Sequence, residues 1–416
     1  MNGLLNIKKS DFIVKWVVFS ILALGFSVRK SATALPMLLV IAGLYLLWKR
    51  HDFRVLAIEF FNEQWRVVVS LAVLPLLIFI RELVQFSPEF KYVDAASRFL
   101  FFMPICVLLI YSRIRLEDVR WGFFWGVAFM FASGFLYVYM TGGFCSDSNY
   151  AIRPRSYFTN TIPFSAFCLA LAIAFSIWSI GRSTIDTICS VVSILLAVLV
   201  LYFSQSRGVW IGFLFSILSI VLMYSKNRVR DSSLFFVFSF VVLVLLYCFS
   251  EMFAIRVDMA MAEVLDFMHG KKDGSVSMRL DMAMASFYIL QENPIFGAGR
   301  NLIPALQDLY HRGIIGAAIS DAADTHGELF YNSASLGMLG IFAWFVFYYF
   351  IVKLFLPSAL GFYDSDVKRI GVIGVSVSVL FFFVGFTHIT FGLSMYASYF
   401  VIFLSVLSSS LKLYSH

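Results

Sequence analysis

Apolar stretches long enough to cross a bilayer as helices, about 17–25 residues each, recur along nearly the whole chain with only short polar interruptions. They fall near residues 12–28, 32–48, 66–85, 98–112, 119–141, 160–180, 184–203, 208–225, 233–250, 335–355, 370–387 and 390–411. The pattern predicts an all-α polytopic membrane protein with about twelve transmembrane helices. The fourth run is short, so its helix must extend or tilt to span. One connection alone is long. It divides the chain into transmembrane helices one to nine (1–250), a polar segment (251–334) and helices ten to twelve (335–416).

The polar segment carries its own helical signals. Glu251–Met268 is amphipathic, and a second helix is expected over Met278–Leu290, after the polar turn from His269 to Gly274. It breaks at Asn293-Pro294, because a proline disfavours helical backbone in the residue before it. Gly297-Ala298-Gly299 follows. With no strand–turn–helix context it is a turn rather than a nucleotide loop. The expected role of the segment is a lid over one end of the bundle, not an independent domain.

Orientation follows from the basic residues. With the N-terminus in the cytoplasm, Lys49-Arg50, Arg113 with Arg115 and Arg120, Lys226 with Arg228 and Arg230, and Lys368-Arg369 all fall on the inner face. Arg29-Lys30 and Arg153 with Arg155 are the exceptions. Both termini are then cytoplasmic, and the long segment lies on the outer, periplasmic-type side. Lys8-Lys9 precedes the first run with no convincing small-residue cleavage site, so that run is expected to stay uncleaved.

Composition agrees with this reading and narrows it. Of 416 residues, 61% are hydrophobic and 14% charged, far from the balance of soluble domains. The 48 Phe and 19 Tyr supply lipid-facing and interfacial rings. The formal charge of +7 sits in short inter-helix clusters, which excludes a nucleic-acid-binding surface. Four of the five cysteines lie inside apolar runs; Cys145 falls in a loop without an evident partner, and no disulfide framework or zinc spacing is present.

Polar groups unrelated to topology gather on the outer face. Arg207, in Ser204-Gln205-Ser206-Arg207-Gly208, occupies a tight turn between runs seven and eight. Arg153 and Arg155 precede run six. The long segment adds Arg279, Arg300 and His326, and His388 lies in the turn between runs eleven and twelve. Taken singly, each is an interfacial anchor, a solvated loop residue or a satisfied polar group. Together, guanidinium groups at a lipid interface suit a phosphate-bearing lipid, which they bind through paired hydrogen bonds. A neutral histidine beside them can take a proton from an attacking hydroxyl. That is the outline of a lipid-phosphate-dependent transferase. Asp321, Asp324, His326 and Glu328 are hard-ligand types at close spacing, but their spacing matches no metal motif. No metal or other cofactor is expected.

These residues resemble the O-antigen ligase family, within the wider superfamily that includes O-antigen polymerases. Ser-Gln-Ser-Arg-Gly at 204–208 is similar to the family's Thr/Ser-x-Ser/Thr-Arg-Gly/Ala. Arg279 leads to Asn293-Pro294-Ile295-Phe296-Gly297-Ala298-Gly299, like the family's Arg followed by Asn/Ser-Pro-Leu/Ile-Phe-Gly-x-Gly. His326-Gly327, nine further residues and then Gly337-Met338-Leu339-Gly340 look like its His-Asn/Ser/Gln-x9-Gly-x-x-Gly. The twelve-helix layout with one long outer loop is the fourth likeness, and the motifs cover roughly residues 160–345. Three positions depart. Asp324 stands where members often have a first histidine, Gly327 follows the retained one, and Ser335 replaces a glutamate. The base is left in place, and Asp324 can orient it only if the backbone folds suitably.

The resemblance implies an inverting, metal-independent membrane glycosyltransferase of the bacterial inner membrane with its active site facing the periplasm. Its donor would be a glycan on undecaprenyl diphosphate and its acceptor a sugar hydroxyl of lipid A–core. His326 would be the general base, and Arg207 and Arg279 would bind the diphosphate. Arg155, Arg300, Arg153 and His388 would be further phosphate or acceptor contacts. An O-antigen polymerase would use the same donor. A transporter or flippase is disfavoured, since such folds show internal repeats and ionisable groups near the bilayer midplane.

Overall fold

The computed structural model describes residues 2–84, 89–142, 153–270, 274–361 and 365–415. The helices in chain order are α1 (Asn2–Leu24), α2 (Ser31–Lys49), α3 (His51–Val84), α4 (Lys91–Ser97), α5 (Phe102–Tyr111), α6 (Leu116–Met140), α7 (Thr161–Ser179) and α8 (Thr184–Ser204). They continue with α9 (Arg207–Tyr224), α10 (Arg228–Phe249), α11 (Glu251–Met268), α12 (Ser275–Glu292), α13 (Ile303–His311), α14 (Glu328–Leu360), α15 (Ser365–Val384) and α16 (Ser394–Ser415). Among the described residues there is no strand, and eleven helical spans are long and apolar enough to cross a bilayer. The chain is an all-α, multi-pass membrane protein. Cys145 and residues 271–273 of the expected polar turn lie outside the described residues.

Several boundaries move from the hydropathy pattern. The short fourth run gains length upstream, where α4, a 3-10 turn (Arg98–Phe101) and α5 join into one span over Lys91–Tyr111. The first helix starts at Asn2 and takes in Lys8, Lys9, Asp11 and Lys15, and it is not among the eleven spans. In α14 the tenth run begins early, at Glu328, and is broken at Gly337 (φ 65°, ψ −150°).

Burial grades outward from α7, whose residues are almost all enclosed, through α15 and α16. Without a hydrophobic drive between helices in lipid, such close packing relies on small residues. Ser165, Ala166, Ala170, Ala172 and Ala174 supply them on α7. At the other extreme, α10 has no buried residue, and Phe236, Phe238 and Phe240 are exposed as expected of a lipid-facing helix.

At one end of the bundle ion pairs join separate helices and loops: Lys15 with Asp118 (2.9 Å), Arg120 with Asp186 (3.2 Å), Lys412 with Glu63 (2.6 Å), and Arg182 with Asp366. Arg369 donates to the Trp178 carbonyl at 2.6 Å. The opposite end carries the 251–327 segment, which is packed rather than loose. Met282, Ala285 and Ile289 of α12 and Leu306 and Leu309 of α13 form a small core with Tyr331 and Ala334 of α14.

The Pro-Ile-Phe-Gly-Ala-Gly turn is inserted into the break in α14. The Ala298 and Gly299 N–H groups donate to the Ala334 and Ser335 carbonyls (2.8 and 3.0 Å), and the Met338 N–H donates to the Pro294 carbonyl (2.8 Å). A Cβ on Gly337 would lie 2.5 Å from the Ile295 carbonyl oxygen, and its positive φ already favours glycine. The two glycine motifs are thus halves of one backbone clasp, and Arg81 of α3 secures it by donating to the Phe296 and Gly297 carbonyls. Its effect is to fix Arg300 and the start of α14.

Candidate functional site

The site is assembled where three turns meet. In the first, Gln205 takes a left-handed conformation (φ 53°) that ends α8, and Arg207 opens α9 only two residues later. The Ser-Gln-Ser-Arg-Gly motif is therefore a helix reversal that sets a guanidinium at a helix mouth. The second is the turn after α15. A Cβ on Gly208 would fall 1.9 Å from Thr387 Oγ1, so the glycine lets α9 start directly against the His388 turn. The third is the approach to α14, where the Glu328 N–H donates to the Gly385 carbonyl at 2.7 Å and ties the His326-Gly327 step to the same place.

His326 is itself left-handed (φ 53°), an unusual conformation for a residue with a Cβ. Asp324 holds it there: one carboxylate oxygen accepts from the His326 backbone N–H (2.9 Å) and contacts the ring Nδ1 (3.0 Å). This answers the question of orientation that the departures from the family pattern left open. Desolvation opposes ionisation of Asp324, but its hydrogen bonds from His326 and the nearby imidazoles outweigh this and hold the carboxyl below its usual range. An ionised carboxylate can only accept, so the proton in this contact sits on Nδ1. The His326 side chain is 49% exposed, which leaves it open to a substrate.

His388 approaches from the α15–α16 turn. Burial, with weaker opposition from Asp324 and repulsion from His326 and Arg279, pushes its pKa down to about 4. It is neutral at physiological pH. A lowered histidine pKa means that the unfolded chain binds the proton first. The associated stability is present above about pH 6.5 and is lost as pH falls toward 4. His388→Gln is expected to reduce the loss of thermal stability over that acid interval, as measured by unfolding in detergent between pH 7 and 4 (roughly the window of the linkage).

Three arginines face this pair without partners. Burial lowers the Arg279 pKa first, then repulsion from Arg207, with Glu263 opposing; burial likewise lowers that of Arg153, followed by the charges of Arg279 and Arg207. All three remain cations, since a guanidinium does not deprotonate in a protein. Among the described residues none forms a salt bridge, and Arg207 Nη1 and Arg279 Nε are buried with no hydrogen-bond partner. Glu263 is near enough to be felt, but its carboxylate accepts from the Val276 N–H at 2.5 Å. Buried, unpaired guanidinium donors are costly, so their persistence points to an anion.

The remaining sequence candidates separate from this cluster. Arg155 donates to the Tyr137 hydroxyl (2.6 Å) and lies 5.0 Å over that ring, away from its neighbour Arg153. Arg300 is 8% exposed and donates to Asn332 Oδ1 (2.8 Å). The hard-ligand string is also dispersed: Asp321 accepts from Gln307 (2.9 Å), Asp324 serves His326, and Glu328 is buried near Arg300. Among the described residues no three His, Cys, Asp or Glu side chains gather as a metal group would.

An apolar groove of about 410 Å³ runs between α8, α9 and α10 toward the Arg207 turn. Tyr202, Trp210, Phe213, Phe238 and Leu246 line it. Phe253 of α11 closes its end, stacked on Trp210 at 5.0 Å. Neither the groove nor Glu263 could be read from the sequence, since both depend on how α11 returns to the bundle.

The fold and this end of it define a polytopic membrane protein with an unneutralised cationic site beside a carboxylate-oriented histidine. Residues 192–345 match the family described as O-Antigen ligase (Wzy_C). The matched stretch holds Arg207, Arg279, Arg300 and His326; Arg153, Arg155 and His388 lie outside it. No curated protein matches the chain. Family and fold together indicate a membrane enzyme of the O-antigen ligase or polymerase type.

Proposed function

We propose that the protein is an O-antigen ligase that transfers a glycan from undecaprenyl diphosphate to a sugar hydroxyl of lipid A–core, with inversion and without a metal. The observation that carries this reading is the cluster of Arg153, Arg207 and Arg279, in which Arg207 Nη1 and Arg279 Nε are buried without a protein partner, beside the Asp324–His326 pair. The donor diphosphate fills the guanidinium cluster, and its isoprenoid tail follows the apolar groove that ends at Trp210. The acceptor hydroxyl gives its proton to His326 Nε2 as its oxygen bonds to the anomeric carbon. The bond from that carbon to the diphosphate oxygen breaks, and its electron pair leaves with the diphosphate. Arg207 and Arg279 stabilise that growing charge, and Asp324 stabilises the imidazolium.

On this reading the site end faces the periplasm of the inner membrane, and the ion-paired end, with both termini, faces the cytoplasm. The positions of Lys49, Arg50, Lys226 and Arg228 at the inner ends of their helices support that orientation.

The test is single-turnover transfer by the purified full chain in detergent, with lipid-linked glycan as donor and lipid A–core as acceptor. Transfer is expected and should survive EDTA. A requirement for a divalent ion would overturn the metal-free mechanism. Elongation of the lipid-linked glycan in place of transfer to core would make the protein a polymerase. In cells, loss of a ligase leaves long polymer on undecaprenyl diphosphate, whereas loss of a polymerase leaves core bearing a single repeat.

A further inference from the structure

A second cavity adjoins Asp324. A cavity of about 200 Å³ opens between α4, the Arg300 segment, the start of α14 and the turn before α16. It is more than ten times the roughly 10–15 Å³ that one water needs. Asp324 forms part of its wall, so the carboxylate that orients His326 also borders this cavity.

Part of its lining is polar and unsatisfied. Asn332 is 1% exposed, Glu328 5% and Arg300 8%. Arg300 donates Nη1 to Asn332 Oδ1, which assigns the amide and turns Nδ2 into its free end. That Nδ2, Arg300 Nε and Glu328 Oε2 are all buried with no hydrogen-bond partner, although Trp344 and the Phe391 backbone face the Glu328 carboxylate. The Tyr331 ring, 4.1 Å below the Arg300 guanidinium, fixes this arrangement, and its hydroxyl donates to the Arg300 carbonyl.

The chemistry differs from that of the first site. Arg300 is offset by the Asp324 carboxylate on the same lining, and Lys91 is paired with Glu89. A cavity without excess positive charge does not select a phosphate. Free donors and a free acceptor within one small space suit vicinal hydroxyls, each of which both gives and accepts a hydrogen bond. The rings of Tyr92 and Phe99 on the same wall can meet the C–H face of a pyranose.

We propose that this cavity binds the acceptor sugar, holding one neutral, hydroxyl-bearing ring so that its reactive hydroxyl meets His326. The inference rests on the ligase reading above.

Steady-state transfer by the full chain, with donor and acceptor varied separately, tests it. Asn332→Ala and Tyr92→Ala are each expected to raise the KM for acceptor about tenfold, with donor KM and kcat at saturating acceptor within about twofold. A rise in donor KM instead would assign the cavity to the donor glycan and overturn the proposal. Unchanged KM values in a variant of unchanged thermal stability would make it a hydrated structural void, and would overturn it equally. Tyr92 is at the rim of the cavity, so its variant decides the matter if Asn332→Ala does not fold. Failure of the ligase reading is separable, because wild-type protein would then transfer nothing. In that event core oligosaccharide freed of lipid A, used as the probe in saturation-transfer NMR, still reads the cavity. Binding lost in Tyr92→Ala supports the proposal, and no binding to wild type overturns it.

Discussion

Replacing His326 with alanine is expected to slow glycan transfer by about 10²- to 10⁴-fold, the usual span for losing a general base. The loss should fall on kcat, with both KM values close to wild type, because the ring acts on a proton that moves only in the transition state. Asp324→Asn tests the geometry behind it. An asparagine oxygen can still accept from the His326 backbone N–H, as Asp324 does at 2.9 Å. It cannot stabilise an imidazolium, and an amide turned to donate to Nδ1 would force the proton onto Nε2, the nitrogen that must be free. A kcat loss smaller than that of His326→Ala, with thermal stability kept, is the expected outcome. Full transfer by His326→Ala in single-turnover assays would remove the residue from the mechanism.

The second large effect concerns Arg207 and Arg279. Each single alanine variant is expected to lose about 10²- to 10³-fold in kcat, the scale for removing one donor aimed at developing charge. The double variant should lose less than the product of the two, because both groups serve one diphosphate. Lysine is expected to rescue poorly, since an ammonium on a flexible stem cannot reproduce the planar fork that meets two phosphate oxygens. Stability should move the other way. Arg279 is buried against the like charge of Arg207, and both keep donors without partners among the described residues. Removing either relieves repulsion and desolvation, so thermal stability in detergent should hold or rise while activity collapses. A variant that loses stability and activity together would make these arginines structural.

Much of the fold was legible because lipid imposes a simple rule: every crossing segment must be apolar and must satisfy its own backbone. The spans over Thr161–Ser179, Thr184–Ser204 and Arg207–Tyr224 lie within a few residues of where hydropathy puts them. The boundaries that moved were set by packing. The Lys91–Tyr111 span begins with a polar turn of helix that packs on α3 and α16, and α14 starts seven residues before its apolar run, where it packs on α12. The break at Gly337 left only a pair of glycines as its signal. Its cause, the turn inserted from Pro294 to Gly299, is some forty residues away in the chain.

The candidate site divides in the same way. Residue types and motif order pointed to guanidinium groups and a histidine at one end of the bundle, since arginine in a helical turn such as Ser-Gln-Ser-Arg-Gly is visible without coordinates. Grouping them was a different matter. Arg153 and Arg155 are separated by one residue, yet the first faces Arg279 and the second lies on Tyr137. Arg300 resembled another phosphate ligand, but it donates to Asn332 and lines a cavity with Asp324.

The sequence by itself therefore determined that the chain crosses a membrane many times, that one segment stands apart at one end, and which residue types bear the chemistry. Solvation energy decides those features, and it is additive along a chain. Only the tertiary structure decided that Asp324 orients His326, that three of the arginines gather without salt bridges among the described residues, and that a second cavity shares the Asp324 wall. Those outcomes depend on left-handed turns, glycine contacts and relations among α9, α12, α14 and α15, where residues far apart in the chain compete for the same few ångströms.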